Sequence, residues 1–178
     1  MTDEEIVAGC LKGSPIAQRA LYDTYSRKMM GICLRYSDGY DEAQDILQDG
    51  FIKIFQKLGS YSGTGALGGW MARTMVNTAL DHIRRNKQNK QTLDIDNVEY
   101  LTPDAETTLS GLGTKELLKL IQDLPPGYKT VFNMFAIEGY SHKEIADELD
   151  ISENTSKSQF RKAKAYLRRS IPSREATQ

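Results

Sequence analysis

The chain has 178 residues, of which 23 are Lys or Arg, 24 are Asp or Glu, and 39% are hydrophobic. Its net charge of -1 provides no overall positive field, so any binding of nucleic acid has to come from local basic patches. The acidic N-terminus disfavours a secreted protein, and the lack of an apolar run near ~20 residues disfavours a membrane-spanning one. The two cysteines have no metal or redox spacing, which disfavours a fold built on disulfides. We therefore expect a cytoplasmic protein.

Residues 1–88 have the pattern of a helical bundle. Thr2 and Glu5 have the spacing of a capping box that opens a short helix, and Ser14-Pro15 starts a second, longer one. Asp41 begins a third helix, whose apolar residues recur at steps of 4, 4, 3 and 4. The buried stripe predicted for this helix is Ala43, Leu47, Phe51, Ile54 and Leu58.

A glycine-rich stretch separates the third helix from the fourth. Five glycines fall within residues 59–69, which predicts a loop, and Trp70 restarts the helix. The side chains of this fourth helix that we expect to face inward are Ala72, Val76, Ala79, Leu80 and Ile83.

Residues 89–114 are polar and acidic and predict a flexible linker, followed by a second helical unit at 115–172 and a tail at 173–178. As a coil, 26 residues average about 30 Å from end to end, and fully extended they reach about 85 Å. No stretch of the chain alternates with the period of a β-strand. The prediction is an all-α fold of two small helical bundles joined by this linker.

The second unit ends in a helix-turn-helix pattern. Ser141 and Glu144 predict a capped short helix, a three-residue turn follows, and Ser152 is the next N-cap. The inward stripe of the last helix is Phe160, Ala163 and Leu167. Its neighbouring face is basic and carries Lys157, Arg161, Lys164 and Arg168.

A basic stripe alone also fits a solvated helical face, but the turn, the caps and the polar N-terminus favour a helix that enters the DNA major groove. Side chains with groups that read base edges lie near that N-terminus, at Asn154, Thr155, Lys157, Ser158 and Gln159. Arg161, Lys162 and Lys164 are expected to contact phosphates, which adds affinity without sequence information.

The stretch "LPPGYKTVFNMFAIEGYSHKEIADELDISENTSKSQFRKAKAYLRR" resembles region four of bacterial RNA polymerase sigma factors. The stretches "DEAQDILQDGFIKIFQKL" and "GWMARTMVNTALDHIRR" together resemble their region two. Two such regions joined by a linker are similar to the extracytoplasmic-function (ECF) class of the sigma-70 family. The resemblance covers the chain from about Ile6 to Arg169.

This resemblance implies that the third helix binds core RNA polymerase at its clamp helices, and that the second unit contacts the polymerase flap. The implied clamp-binding positions are Asp45, Gln48 and Asp49, with Phe51 behind them in the core. The residues agree with this, because Asp41, Asp45, Gln48 and Ile52 fall on one outward helix face. An exposed Ile52 among acids indicates a partner surface, although single exposed apolar residues are common.

The resemblance also implies that the fourth helix and the loop before it recognise and open the minus-ten promoter element. Arg73, Asn77, Asp81 and Arg84 share one face at steps of 4, 4 and 3; Asn77 suits a base edge, and Arg84, Arg85 and Lys87 suit phosphates. In the family the loop captures a flipped base, on which Tyr61 could stack. We expect Trp70 to anchor its helix in the core rather than to stack on DNA.

Two positions and one loop depart from the family's usual pattern. Asp150 stands in the turn in place of Gly, but Asp tolerates the left-handed conformation better than most residues. Ser156 replaces a usual Val on the inward stripe, from which we expect a packing loss of about 1 kcal/mol. The loop is richer in glycine than in many members of the family, so its pocket residues are not identified by the match.

The function predicted from the sequence is that of an ECF sigma factor, a dissociable subunit that directs core polymerase to promoter DNA and starts strand opening. We expect no enzymatic activity, no cofactor, no metal and no small-molecule substrate, because His82 and His142 are isolated and no phosphate-binding loop is present. The family also implies an anti-sigma partner. The alternatives are a stand-alone helix-turn-helix DNA-binding regulator and a degenerate member that titrates polymerase or another regulator.

Overall fold

Residues 1–89 and 113–171 are described by the structure, a computed structural model, and they form eight α-helices, one 3₁₀ turn and one π-helical turn. The helices pack into two separate units, Met1–Ile95 and Asp96–Gln178. The predicted all-α class with two helical bundles is confirmed. Most of the expected linker, and the tail after Ile171, lie outside the described residues.

The first unit contains four helices in the order that the sequence predicts. They are α1 (Asp3–Leu11), α2 (Pro15–Tyr36), α3 (Tyr40–Lys57) and α4 (Leu67–Asn89), with the 3₁₀ turn Leu58–Ser60 after α3. The capping box of Thr2 and Glu5 is present, and the Ser14 hydroxyl accepts from the amide of Ala17. Both helix starts that were predicted from capping residues are therefore confirmed.

The core of the first unit lies where α2, α3 and α4 meet. All five residues of the predicted α3 stripe are buried there, including Ile54, whose side chain is fully inaccessible. The other large buried side chains of the first unit include Leu21, Met29, Ile32, Ile46, Leu67, Met71, Met75, Val76 and Leu80.

The fourth helix starts earlier than the sequence indicates. It begins at Leu67 rather than at Trp70, so two glycines that predicted a loop belong to its first turn. A Cβ at Gly68 would lie 3.0 Å from the ring of Tyr25 on α2, closer than ordinary van der Waals contact. Glycine at this position therefore serves the close approach of α2 and α4 rather than a turn.

The second unit contains α5 (Thr114–Gln122), α6 (Pro126–Phe132), α7 (His142–Leu149) and α8 (Glu153–Ser170). The helical turn Asn133–Ile137 extends α6 with the wider π geometry, which the sequence did not predict. A cluster of Ile121, Leu124, Phe132, Ala163 and Leu167 forms the core. In the described residues no helix is long and apolar enough to cross a bilayer.

Candidate functional site

The outward face of α3 is exposed as the sequence predicts. Asp41, Asp45 and Gln48 are exposed, and Ile52 leaves 55% of its surface open although it is aliphatic. Directly behind them Phe51 is buried, with its ring centroid 4.7 Å from that of Tyr22 on α2. The face is therefore held on a rigid support, which suits a docking surface; that polymerase binds there stays a prediction.

Asp49, the fifth residue assigned to this surface, has a partner inside the protein. Its Oδ2 lies 2.7 Å from Nε2 of His82 on α4, and its side chain is 43% exposed against 16% for the imidazole. His82 is thus not isolated, and the expectation that it would be is wrong.

Asp49 and His82 belong to a row of polar contacts between α3 and α4, which we call the α3–α4 seam. Its other two bonds join Asn86 Nδ2 to Glu42 Oε1 at 2.7 Å and Lys53 Nζ to Asp81 Oδ2 at 2.9 Å. The bonded residues are 28 to 44 positions apart in the chain. Such pairs carry no local sequence signal, so none of the three bonds was predicted from the sequence.

The face of α4 that the sequence assigns to DNA is only partly as expected. Arg73, Asn77, Arg85 and Lys87 are exposed, together with Arg84. Asp81 instead turns into the seam, where its carboxylate also accepts a bond of 3.0 Å from Arg84 Nη1. We read Asp81 as the group that orients Lys53 and Arg84, since a carboxylate itself repels phosphate.

The charges around Asp81 act on its acidity. Partial burial works to raise the pKa of this carboxyl, but the hydrogen bonds and positive charges of Lys53 and Arg84 outweigh burial and hold the pKa below its usual value. Asp81 is therefore ionised throughout the neutral range.

The loop between α3 and α4 is built around an aromatic pair. The Tyr61 and Trp70 rings lie 5.7 Å apart at 50°, and the Tyr61 hydroxyl donates to the carbonyl of Gly65 at 2.6 Å. Gly63 and Gly65 have φ of 74° and 80°, which few other residues adopt. Tyr61 is half-buried in this arrangement, and Trp70 packs against it at the start of α4.

The helix-turn-helix of the second unit has the predicted caps. Ser141 and Glu144 form a capping box at α7, and Ser152 Oγ accepts from the amide of Thr155 at the start of α8. Asp150 adopts the left-handed conformation with φ 54° and ψ 51°. The three local predictions for this turn are confirmed.

The residues assigned to base reading do not all lie on the exposed side of α8. Asn154, Thr155 and Lys157 are exposed and Ser158 is half-buried. Gln159 points toward α6: its Oε1 is buried without a hydrogen-bond partner in the described residues, 3.5 Å from where a Cβ on Gly127 would lie. Gln159 therefore belongs to the packing between α6 and α8, and this side-chain placement does not fit base reading.

The residues of α8 that the sequence assigns to phosphate contact are exposed to solvent. Arg161, Lys162 and Lys164 are exposed, and the Lys164 ammonium lies 4.9 Å from the centre of the Phe160 ring. A cation over an aromatic face is held in place while it stays accessible. The basic face of α8 is thus open to a polyanion.

Behind this basic face, α7 and α8 are joined by a histidine. Nδ1 of His142 lies 2.8 Å from Oγ of Ser156, which is fully buried. The imidazole stacks on Phe135 at 4.2 Å and 12°, and it meets Phe160 edge-on. Ser156 therefore has a hydrogen-bond partner, which offsets the packing loss expected at this position, and His142 is not isolated.

The environment of His142 disfavours its charged form. Burial lowers the pKa of the imidazole, the positive charge of Lys157 lowers it further, and Glu153 works in the opposite direction. His142 is therefore neutral at pH 7, which suits a ring stacked on Phe135.

The cysteines take no part in these surfaces. Cys10 and Cys33 are free and buried, and burial raises the pKa of both thiols, that of Cys33 to about 12. A thiol with so high a pKa is a poor nucleophile and a poor metal ligand. Within residues 1–89 and 113–171, no three His, Cys, Asp or Glu side chains are placed to hold a metal ion.

Comparisons with known proteins match each unit separately. Residues 21–89 match the family model described as Sigma-70 region 2, and residues 114–167 match the one described as Sigma-70, region 4. These two matches cover the seam, the α3 face and the helix-turn-helix up to Leu167, three residues before the end of α8.

Relatives match over nearly the full length of the chain. An ECF RNA polymerase sigma-E factor of Haemophilus influenzae is 28% identical, with 96% of each chain covered. An RNA polymerase sigma-H factor of Pseudomonas aeruginosa is 24% identical, with 95% of this chain and 93% of the relative covered. Among solved structures, the sigma factor RpoE of Bartonella quintana, in complex with the anti-sigma factor NepR, has a similar fold, with a TM-score of 0.54, 19% identity and coverage of 85% of this chain and 94% of that one.

Proposed function

The chain belongs to the sigma-70 family of RNA polymerase sigma factors, in its extracytoplasmic-function class, and on that premise we propose that it binds core RNA polymerase and directs promoter recognition, strand opening and transcription initiation. The observation that carries the proposal is that region 2 and region 4 match two separately packed units, in that order on one chain. A stand-alone helix-turn-helix regulator has no use for the first of these units.

Polymerase binding is assigned to the acidic face of α3. Asp41, Asp45 and Gln48 offer acceptors, and Ile52 adds an apolar contact in their midst. Acceptors around a small apolar centre suit a basic helical partner such as the clamp helices, since the apolar contact gives affinity and the charges give orientation.

Minus-ten recognition is assigned to α4 and to the loop before it. Asn77 is the exposed amide on the face that also carries Arg73 and Arg84, so it can pair with a base edge while the cations contact phosphates. The Tyr61–Trp70 pair supports the loop and offers a partly open aromatic surface. Stacking on such a surface is worth roughly 1–3 kcal/mol per base, comparable to the few kcal/mol needed to unstack one.

Minus-thirty-five recognition is assigned to α8. Asn154, Thr155, Lys157 and Ser158 lie at its N-terminal end, where a recognition helix meets base edges, and the exposed cations follow along the helix. Gln159 is left out of this set because it packs toward α6.

We also propose an anti-sigma partner in the cytoplasm. The support is that the RpoE protein of similar fold was solved in complex with an anti-sigma factor.

The test is in vitro transcription with sigma-free bacterial core polymerase on a pool of randomised promoters, with and without the protein. New start sites that share two sequence elements are the expected result. Asp45→Lys reverses a charge on the α3 face and should abolish them. Asp23→Lys is the matched control, since it reverses an exposed charge on α2 whose ion pair with Arg19 lies at the surface.

Two outcomes would contradict the proposal. Tight binding of one DNA sequence by the free protein, without new start sites, would indicate a stand-alone regulator. Binding to core polymerase without any initiation would indicate a titrating module.

A further inference from the structure

We propose that His82 is a positioning residue for polymerase binding, which holds the Asp49 carboxylate in a fixed orientation beside the exposed face of α3. The inference rests on the proposed function, because it assumes that α3 docks on core polymerase. It goes beyond it by assigning a role in that docking to a residue of α4, the helix that is otherwise assigned to DNA.

The geometry is that of a directed hydrogen bond. Nε2 of His82 and Oδ2 of Asp49 are 2.7 Å apart, and the two residues are 33 positions apart in the chain. An ionised carboxylate can only accept, so Nε2 carries the proton and donates. The imidazole is the buried member of the pair, with 16% of its side chain exposed, and the carboxylate is the open member, with 43% exposed.

The hydrogen bond fixes the Asp49 carboxylate while leaving it accessible to a partner. The bond uses Oδ2, and among the described residues Oδ1 is the oxygen left to accept a hydrogen bond from a partner. Asp49 lies next to Gln48 and three residues before Ile52, both on the docking face. A carboxylate that is already fixed loses less conformational freedom when a partner's Arg or Lys binds it, so its contribution to affinity is larger.

A different explanation is that His82 only adds stability to the first unit, as any bond of the seam would. The chain offers a control for this. Asn86 Nδ2 donates to Glu42 Oε1 across the same two helices and at the same 2.7 Å, but Glu42 is not among the residues assigned to polymerase. Removing the Asn86 bond therefore shows how loss of any bond of the α3–α4 seam affects polymerase binding, while the Asp49–His82 bond stays intact.

The experiment measures binding of the full-length protein to core polymerase in the absence of DNA, by fluorescence anisotropy of a labelled chain, with thermal unfolding of each variant alongside. His82→Leu removes the donor at similar volume, and His82→Gln keeps an N–H near the position of Nε2. We expect His82→Leu to weaken binding to core polymerase by about tenfold, because it removes a hydrogen bond to a charged group. The affinity of His82→Gln should stay within about threefold of that of the unchanged protein. The affinity of Asn86→Ala should stay within about twofold of it.

A double-mutant cycle with Asp49→Ala completes the test. If His82 acts through Asp49, adding His82→Leu to Asp49→Ala should change the affinity by less than about twofold. The inference is overturned if the two losses multiply, if His82→Gln is as weak as His82→Leu, or if Asn86→Ala weakens binding as much as His82→Leu. If the unchanged protein does not bind core polymerase at all, it is the proposed function that fails, which is a distinct result.

Discussion

Two small residues determine how closely α1 approaches α2. The position of a Cβ on Gly9 would lie 2.5 Å from the Cβ of Ala17, and Ala17 is almost fully buried. Because the Cβ of Ala17 is fixed to its backbone, it cannot move aside as the end of a long side chain could. Gly9 is therefore needed for packing although glycine is a poor residue for a helix interior.

Gly9→Ala should destabilise the first unit by about 1–3 kcal/mol, because overpacking outweighs the gain in helix propensity. Gly31→Ala is the control, since no atom lies closer than 4.0 Å to its Cβ and propensity alone should stabilise it by about 0.5–1 kcal/mol. Trp70, the single tryptophan of the chain, reports denaturant unfolding of this unit by fluorescence. If Gly9→Ala raised the free energy of unfolding, α1 would be able to move away from α2 without loss of stability.

His142 makes the stability of the second unit depend on pH. Since its folded-state pKa is lowered, the unfolded chain binds the proton more readily, and stability is lost as the pH falls below the unfolded value of about 6.5. We expect the free energy of unfolding to decrease between pH 7.5 and pH 5.5, and this decrease to be smaller in His142→Asn, which does not titrate.

Proton NMR of the imidazole signals measures the same effect directly. The chain has two histidines, so the His142→Asn spectrum assigns both signals. A His142 midpoint at or above 6.5 would show that its surroundings do not disfavour the charged imidazole.

At the scale of helices, the sequence was most informative where the signal is local. The capping boxes at Thr2 and Ser141 and the cap at Ser152 are set within three or four residues, and each appears as predicted. The α3 stripe was equally readable, because a strongly amphipathic helix can bury only one face. Both the caps and the stripe depend only on residues that are close together in the sequence.

The sequence was least informative where two helices meet. Gly68 lies in a glycine-rich stretch that predicts a loop. The reason for glycine in this helix is the close contact with the ring of Tyr25, a residue 43 positions earlier in the chain. The seam bonds of Asp49 and Asp81 are likewise set by partners on another helix. The sequence placed both carboxylates on the correct helices, but what they contact depends on the packing of α3 against α4.

The turn between α7 and α8 provides a test of local conformation. Asp150 adopts a left-handed conformation that costs an ordinary residue roughly 1–2 kcal/mol and glycine almost nothing. Asp150→Gly should stabilise the helix-turn-helix by about 0.5–1 kcal/mol and leave its DNA preference unchanged. Hydrogen exchange of the α7 and α8 amides measures this local stability.

The control for Asp150→Gly is Asp147→Gly, three residues earlier on the exposed side of α7. There the backbone is helical, and glycine should cost about 1 kcal/mol. If Asp150→Gly destabilised the unit as much as Asp147→Gly, the left-handed conformation of residue 150 would not favour glycine.

On the scale of the whole molecule, the proposed DNA contacts are divided between two units. Each has its own buried core, and each presents one exposed face that we propose contacts DNA: a face of α4 in the first unit and the outer face of α8 in the second. A single small DNA-binding module buries too little surface for tight specific binding. Joined on one chain, the second contact becomes intramolecular, and the affinity rises without any new contact.

The covalent connection should therefore matter more than any single DNA contact. A protease site inserted between residues 96 and 106 leaves the described helices of both units intact, and cleavage after folding yields the two halves in equal amounts. We expect promoter-specific initiation at limiting protein concentration to fall by 10²–10⁴-fold after cleavage, the range by which linkage commonly raises affinity. The uncleaved insertion protein is the control and should initiate normally. Undiminished initiation by the cleaved halves would mean that core polymerase itself holds the two units at their promoter elements, and that the connecting chain contributes little to affinity.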